Sequence, residues 1–289
     1  MSQCLITGAT GFVGRYLVES LLSEGHSLNL LVRDTKSSFL QSMLALWKEK
    51  YASSDIRLTA FDLQQDDLGL TSSIAIKDYE HVYHLAAIYD LNSEREQLIS
   101  ANVDGTERLL SKLLENDFKG AFHFVSSIAV AGNFTGKFNE FMFDEGQTHQ
   151  HAYHLSKFLS EKVVREYKDK NAFSVRIYRP SAIVGHSETG DIDKINGPYY
   201  LCLLISALKR WVPSKVPVFL PKTSVSIDTV PVDYVVKSIM YLSMLPESQL
   251  SNGQYCFHLS DPDTPSLSEM FSLLLKLAEG PSVGLSLPI

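Results

Sequence analysis

The stretch Gln3-Cys4-Leu5-Ile6-Thr7-Gly8-Ala9-Thr10-Gly11-Phe12-Val13-Gly14 decides the fold. A short apolar run, Gln3–Thr7, meets three glycines spaced three apart. Phe12, Val13, Tyr16, Leu17 and Leu21 then recur at helical steps up to Gly25, a residue suited to a helix C-terminal cap. A strand that turns through glycines into a helix presents the helix's unpaired N–H groups and positive end to an anion. Glycine at 8 permits a tight turn, glycine at 11 lets the backbone approach a pyrophosphate, and glycine at 14 allows close packing of helix on sheet. Gly8, Thr10, Gly11, Phe12, Val13 and Gly14 are therefore expected to cradle the phosphates of a dinucleotide, rather than to form a merely flexible turn.

Outward from this loop, short β-rich runs alternate with helical segments, the pattern of βαβ units and a parallel sheet. Strands are expected at Gln3–Thr7, 27–33, 56–61, 81–85, 121–126 and 174–178, with helices between them. Residues 94–114 read as one long helix burying Leu98, Val103, Leu109, Leu110 and Leu113. After Pro180 the rhythm breaks into turns, an apolar helix over 199–208 and a proline- and lysine-containing loop. Helical periodicity returns over 230–245, a strand over 254–259 and a short helix over 266–278. The expected architecture is α/β: a doubly wound parallel sheet over 1–185, to which 223–245 returns, and a smaller substrate-binding lobe from 186–222 and 246–289. Residues 281–289 are β-like with no following partner, which leaves open a lobe that continues past Ile289.

About 20 residues past the glycine loop, an acidic side chain would hold the ribose hydroxyls of NAD. There the second strand ends in Arg33, whose guanidinium suits a 2′-phosphate, so NADPH is expected over NADH. Asp34 follows, readable as a turn residue or, with the strand shifted by one, as a ribose ligand.

Tyr153-His154-Leu155-Ser156-Lys157 sets a phenol and an ammonium four positions apart, on one helix face. A nearby ammonium favours phenolate and would bring proton transfer toward neutral pH. The fifth strand ends at Ser126-Ser127, and the carboxyl ends of parallel strands are where ligands gather.

Together, the Gly-x-x-Gly-x-x-Gly spacing, Asp62-Leu63, His84-Leu85-Ala86-Ala87, Asn102, Ser127, Tyr153, Lys157 and Arg179-Pro180 resemble the extended short-chain dehydrogenases over most of the chain. The resemblance implies that Asp62 and Leu63 border the adenine and that Ala86 and Ala87 line the cofactor path. It also gives Asn102, Pro180 and Ile183 to the cofactor, Lys157 to the nicotinamide ribose, and the reacting oxygen to Ser127 and Tyr153. Ser127 is preferred to Ser126 because it stands five residues before Gly132, as the family serine does. The run from Tyr178 to Gly190, with Asp193-Lys194, Asn196-Gly197-Pro198 and residues 232–236, is similar to the "male sterility" branch of fatty acyl-CoA reductases and thioester reductases. That branch implies NADPH-dependent reduction of an acyl thioester, carried on coenzyme A or a carrier protein, to aldehyde or alcohol. The acyl chain is expected against Phe141, Met142, Phe143 and Leu203, which could equally be ordinary core. Rival readings on the same fold are a nucleotide-sugar epimerase or dehydratase, a hydroxysteroid or flavonoid ketone reductase, and a non-catalytic NADPH sensor.

Composition narrows the partners. The 289 residues are 45% hydrophobic and 20% charged, as in an ordinary globular enzyme. A net charge of -7 without a Lys/Arg-rich run argues against nucleic acid. The most apolar segment, 199–208, has about half the length a bilayer-crossing helix needs, so no integral membrane segment is expected. Widely spaced Cys4, Cys202 and Cys256, with no leader-like opening, suit a reducing cytoplasm. Cys202 reads as a small core residue, and His149, His151 and His154 lack the spacing of a zinc set.

Overall fold

Gly25 ends the first helix for a stereochemical reason. Its φ is +79°, the left-handed region open to glycine, and the N–H groups of Gly25 and His26 close back on the carbonyls of Leu22 and Leu21. The chain is thereby turned from the first helix into the next strand. The structure, a computed structural model, describes residues 1–70, 74–89, 94–170, 173–195, 197–213, 216 and 225–280. Asn196 and residues 281–289, singled out above, lie outside the described residues.

In chain order the elements are β1 (Gln3–Thr7), α1 (Phe12–Ser23), β2 (Ser27–Val32), α2 (Ser38–Lys50), β3 (Ile56–Ala60), β4 (His81–His84), α3 (Arg95–Leu98), α4 (Gly105–Glu115), β5 (Ala121–Val125), α5 (Ala152–Asp169) and β6 (Ser174–Pro180). There follow β7 (Ala182–Val184), α6 (Tyr200–Trp211), β8 (Thr229–Pro231), α7 (Val232–Met244), β9 (Cys256–Leu259) and α8 (Leu267–Leu277). Seven strands form one parallel sheet in the order β3-β2-β1-β4-β5-β6-β9. The order reverses between β1 and β4, the place where an open α/β sheet leaves a crevice at its carboxyl ends. This is a Rossmann-like α/β fold.

Strand alternation sorts the side chains to two faces. On one, Val82, Phe122, Phe124 and Ile177 join Leu109, Leu110 and Leu113 of α4 and Val164 of α5 in a single buried cluster. On the other, Tyr83, His123 and Arg176 lie in register across β4, β5 and β6. There the Tyr83 hydroxyl donates to Ser243 of α7 at 2.9 Å, and Arg176 donates to the carbonyls of Leu242 and Leu245. All five positions expected to be buried between 94 and 114 are buried. The single helix expected there is instead interrupted by a π-helical segment, Ile99–Asp104, between α3 and α4. Its wider turn carries Asn102, whose amide is bound to backbone outside the helix, as described below.

The contacts divide the chain into two units, 1–180 with 233–259, and 181–232 with 260–289. The first returns further along the chain than the expected domain bounds, because β9 pairs with β6. In the second unit β7 pairs in parallel with β8, two strands not anticipated from sequence, and α6 packs on α8 through Ile205, Phe271 and Leu275. α6, expected as an apolar core or pocket helix over 199–208, is packed on one side only among the described residues. Leu201, Ile205 and Leu208 face α8, while Tyr200, Leu203, Leu204 and Trp211 are exposed on the other side. Cys202 is also exposed, against expectation, because it points away from α8. Among the described residues no helix is long and apolar enough to cross a membrane.

Two buried histidines tie the sheet to pH. His84 is held down to about 3 and His123 well below its usual value, both chiefly by burial; Lys157 adds to the effect on His84, and His81 to that on His123. Each is neutral when folded, whereas in the unfolded chain each titrates near pH 6.5, so below that pH the unfolded state binds more protons. Folding stability should therefore fall as pH drops below about 6.5, by roughly 1.4 kcal/mol per histidine per pH unit. Urea denaturation at pH 7.5 and 5.5 should differ by on the order of 2 kcal/mol; equal midpoints would mean that these rings stay solvated.

Candidate active site

Gly8 leaves β1 with φ +74°, and its backbone lies so close to the segment after β4 that an added Cβ would stand 2.6 Å from the Ala86 nitrogen. Gly14 is held more tightly still, with a Cβ there reaching 2.1 Å from the Gly8 carbonyl oxygen. Its glycine is thus demanded by helix-on-loop packing as much as by helix-on-sheet packing. Gly11 is the N-cap of α1, its own N–H is given to the Gly8 carbonyl at 3.0 Å, and no side chain caps the helix. The result is a glycine-walled cradle, with Thr10 and Gly11 exposed, facing the open first turn of a twelve-residue helix. These residues fit a pyrophosphate, whose oxygens accept from such N–H groups.

The cradle is braced by a buried chain of hydrogen bonds. Thr106 gives its one hydroxyl proton to the Asn102 carbonyl at 2.6 Å, so it must accept from His84 Nε2–H at 3.0 Å. His84 Nδ1 is then bare and accepts from the Thr7 hydroxyl at 2.7 Å, while Thr7 Oγ1 accepts from Ala86 N–H at 3.1 Å. One neutral tautomer satisfies every member, and burial keeps His84 in it. Asn102 completes the brace, accepting from Ile88 N–H at 2.7 Å and donating to the Ile88 carbonyl and to Ser156 Oγ, both at 3.1 Å. Its amide is thereby occupied by protein, so Asn102 holds the segment 86–88 against α5.

The other expected cofactor residues stand as follows. Leu63 is buried against Gly105, and its carbonyl accepts from Arg108 Nη1 at 3.0 Å. Asp62 accepts the Gln64 N–H at 3.1 Å and so shapes the turn after β3. Arg33 is exposed just beyond β2, and Asp34 accepts the Lys36 N–H at 2.8 Å as a turn residue. Ala86 and Ala87 are half-buried. Pro180 ends β6, and Ile183 lies in β7 opposite Val230, in the second unit.

Of the two serines at the tip of β5, Ser126 is buried and donates to Glu161 Oε2 at 2.7 Å. Ser127 is half-buried, caps the 3-10 turn Ile128–Ala131 by accepting from Ala129 N–H at 3.2 Å, and gives its own proton to no described residue. α5 carries both Tyr153 and Lys157. Lys157 is buried, donates to the Val125 carbonyl at 2.9 Å and lies over the Phe124 ring, which brings the ammonium to the tip of β5. Burial lowers it to about 8, with Glu161 pulling the other way. Tyr153 meets Tyr89 edge to face at 4.7 Å between ring centroids. Burial pushes its phenol up, and Tyr89 adds to this. The ammonium-driven lowering expected from sequence is therefore not what governs this phenol: burial pushes it up, while Lys157 gives one of its three N–H groups to Val125.

Sequence reasoning named Ser126 and Arg179 but missed Glu161, which joins them, and Arg165. Glu161 Oε1 accepts from Arg179 Nη2 at 2.6 Å and Arg165 Nε at 2.8 Å, and Oε2 from Arg179 Nε at 3.1 Å as well as from Ser126. Burial alone would raise the carboxyl, but the hydrogen bond and charge of Arg179, with Arg165 and Ser126, hold it low. Its position four residues after Lys157 was the available signal. Phe143, expected to touch an acyl chain, instead stacks on Phe158 at 4.7 Å and under Arg165, while Phe141 is exposed. His149 meets the Val130 carbonyl, and His151 meets His154 edge to face.

The family model for male sterility protein matches residues 6–239. The chain belongs to that family. Aldehyde reductase lnbA of Aspergillus flavus is 29% identical over 83% of the present chain and 25% of the relative. The terminal R domain of the myxalamid PKS-NRPS pathway is similar with a TM-score of 0.79 at 28% identity, covering 98% of this chain and 72% of that one. A thiolation-reductase di-domain from an archaeal non-ribosomal peptide synthetase shares the fold, with a TM-score of 0.78 at 20% identity over 98% of this chain and 61% of that one. The chain spans between 5% and 28% of the length of curated relatives it matches. The chain thus carries the NAD-binding, Rossmann-like domain of that family.

Gly14→Ala tests the cradle directly. It should weaken dinucleotide binding at least about tenfold in a fluorescence titration and lower the melting temperature by roughly 4–8 °C per kcal/mol lost in a small domain, less in one this size. Binding at wild-type strength would mean that the loop can open without losing its function.

Proposed function

We propose that this protein is an NADPH-dependent thioester reductase whose Ser127, Tyr153 and Lys157 act on the carbonyl of a carrier- or coenzyme A-bound acyl group. The observation that carries the reading is the position of a buried ammonium at the tip of β5, two residues from a serine with a proton to give. The likeness at 28% identity to a terminal R domain supports the substrate class, and the name of the thiolation-reductase di-domain points the same way. Arg33, exposed beyond β2, supports NADPH over NADH, with Asp34 occupied in its own turn. Three cysteines free of disulfides accord with a cytoplasmic setting.

A bound reduced nicotinamide supplies the hydride. Ser127 and Tyr153 donate hydrogen bonds to the carbonyl oxygen as charge develops on it. The raised phenol suits Tyr153 to the role of acid: it is protonated at neutral pH and delivers its proton to the forming alkoxide. Lys157, on the same face of α5, positions the ribose and returns a proton to the phenolate. Breakdown of the hemithioacetal then leaves a thiol and an aldehyde.

Absorbance of NADPH followed with acyl-CoA thioesters of graded length, with UDP-sugars and with free ketones tests the reading. Thioester-dependent oxidation is the expected result, and turnover confined to UDP-sugars or ketones would overturn it. Tyr153→Phe should cut kcat by about two decades with NADPH affinity nearly intact. Arg33→Ala should weaken NADPH at least about tenfold while leaving NADH unchanged.

A further inference from the structure

The acidic centre of the buried network has no part in the chemistry just described, yet it stands one helical turn from that chemistry. Glu161 is fully buried, and each of its carboxylate oxygens accepts two hydrogen bonds, from Arg179, Arg165 and Ser126. These donors come from three elements: Ser126 from the tip of β5, Arg179 from the end of β6 and Arg165 from α5 itself. A carboxylate has about four acceptor sites, and all are used.

α5 is therefore fastened to the tip of β5 at two successive residues. Lys157 reaches the Val125 carbonyl, and one turn later Glu161 takes the Ser126 hydroxyl. The first tether uses an ammonium that the proposed reaction also requires, so it is not a permanent hold. The second is independent of substrate and lies next in sequence to Ser127. We propose that Glu161 is a positioning residue for the Ser127, Tyr153 and Lys157 set, clamping the tip of β5 to the helix that carries the phenol and the ammonium. The proposal rests on the reading of that set given above.

The same carboxylate acts on Lys157 through space. From β4, Lys157 is faced by neutral His84; from β5, by the Phe124 ring and the Val125 carbonyl; and from its own helix, by Glu161. Glu161 is the one anion named among these, and its charge favours the protonated amine. Around Glu161 itself stand Arg179, Arg165, Ser126 and the thiol of Cys256 on β9, which burial and this carboxylate push up to about 12.

Two variants of the whole chain separate a clamp from general support. Ser126→Ala keeps both ion pairs, so the protein should fold; kcat for NADPH-dependent thioester reduction should fall about tenfold, with the KM for NADPH changed less than twofold. Glu161→Gln keeps the shape and removes the charge, and should move the Lys157 titration to lower pH by about a unit, read by NMR of 13C-lysine-labelled protein without ligand. In Ser126→Ala that titration should stay within about 0.3 of wild type. Unchanged kcat in Ser126→Ala, or a loss shared equally with NADPH affinity, overturns the clamp. An unmoved Lys157 titration in Glu161→Gln overturns it as well. If Tyr153→Phe turns over as wild type does, the reading of the site fails on its own account. The titration then decides the place of Glu161 without any assay of activity, a shift supporting the coupling and its absence ending the proposal.

Discussion

Everything at the carboxyl edge of this sheet depends on how closely two neighbouring strand ends approach each other. β1 and β4 are adjacent across the reversal of strand order, and the backbone of Gly8 lies where any side chain would strike Ala86. That closeness is not held by apolar contact alone. Thr7, His84 and Thr106 pass hydrogen bonds from the Ala86 amide to the Asn102 carbonyl, each donor with one acceptor. An unmade bond in so dry a place costs about 1–3 kcal/mol, so the chain acts as a gauge that fixes the distance between loop and helix.

A second polar device governs the neighbouring strands. The pair between Glu161 and Arg179 is fully buried, and such pairs are often no better than apolar packing for net stability. Removing one partner, however, costs about 3–5 kcal/mol because the other charge is stranded. Their value lies in geometry: a saturated carboxylate admits one arrangement of β5, β6 and α5, whereas leucines in the same space would tolerate several. The two devices meet through Asn102, which joins the segment after β4 to Ser156 of α5. Cradle and helix are thus set by one connected polar framework.

The sheet was legible because its strands are short, apolar and separated by periodic helices. Six strands of the first half were expected within two residues of where they lie, and the glycine loop announced itself through the spacing of residues that only a close backbone requires. What escaped has a common cause. The π segment at Ile99–Asp104 changes no hydrophobic period, since Leu98, Val103 and Leu109 are buried in either form. β9 looked like a lobe strand, because pairing with β6 is a long-range choice that local pattern does not encode. The exposed side of α6 reads as core in sequence, since an apolar stripe does not say how many neighbours it has. At the site, the Ser127, Tyr153 and Lys157 positions came from motif and spacing. The phenol's raised titration came from burial, which no spacing reveals.

The small ladder of β7 and β8 carries a consequence of another kind. Ala182 through Val184 lie beside Thr229 through Pro231, so the chain departs and comes back at adjacent points. Joining two already neighbouring ends costs little entropy, and that cost rises only slowly with the length of what is strung between them. The stretch between these strands can therefore lengthen, shrink or be exchanged over evolutionary time while the parallel sheet keeps its register. A fold stitched in this way offers a ready graft point, where one segment can be swapped for another at little cost to the rest.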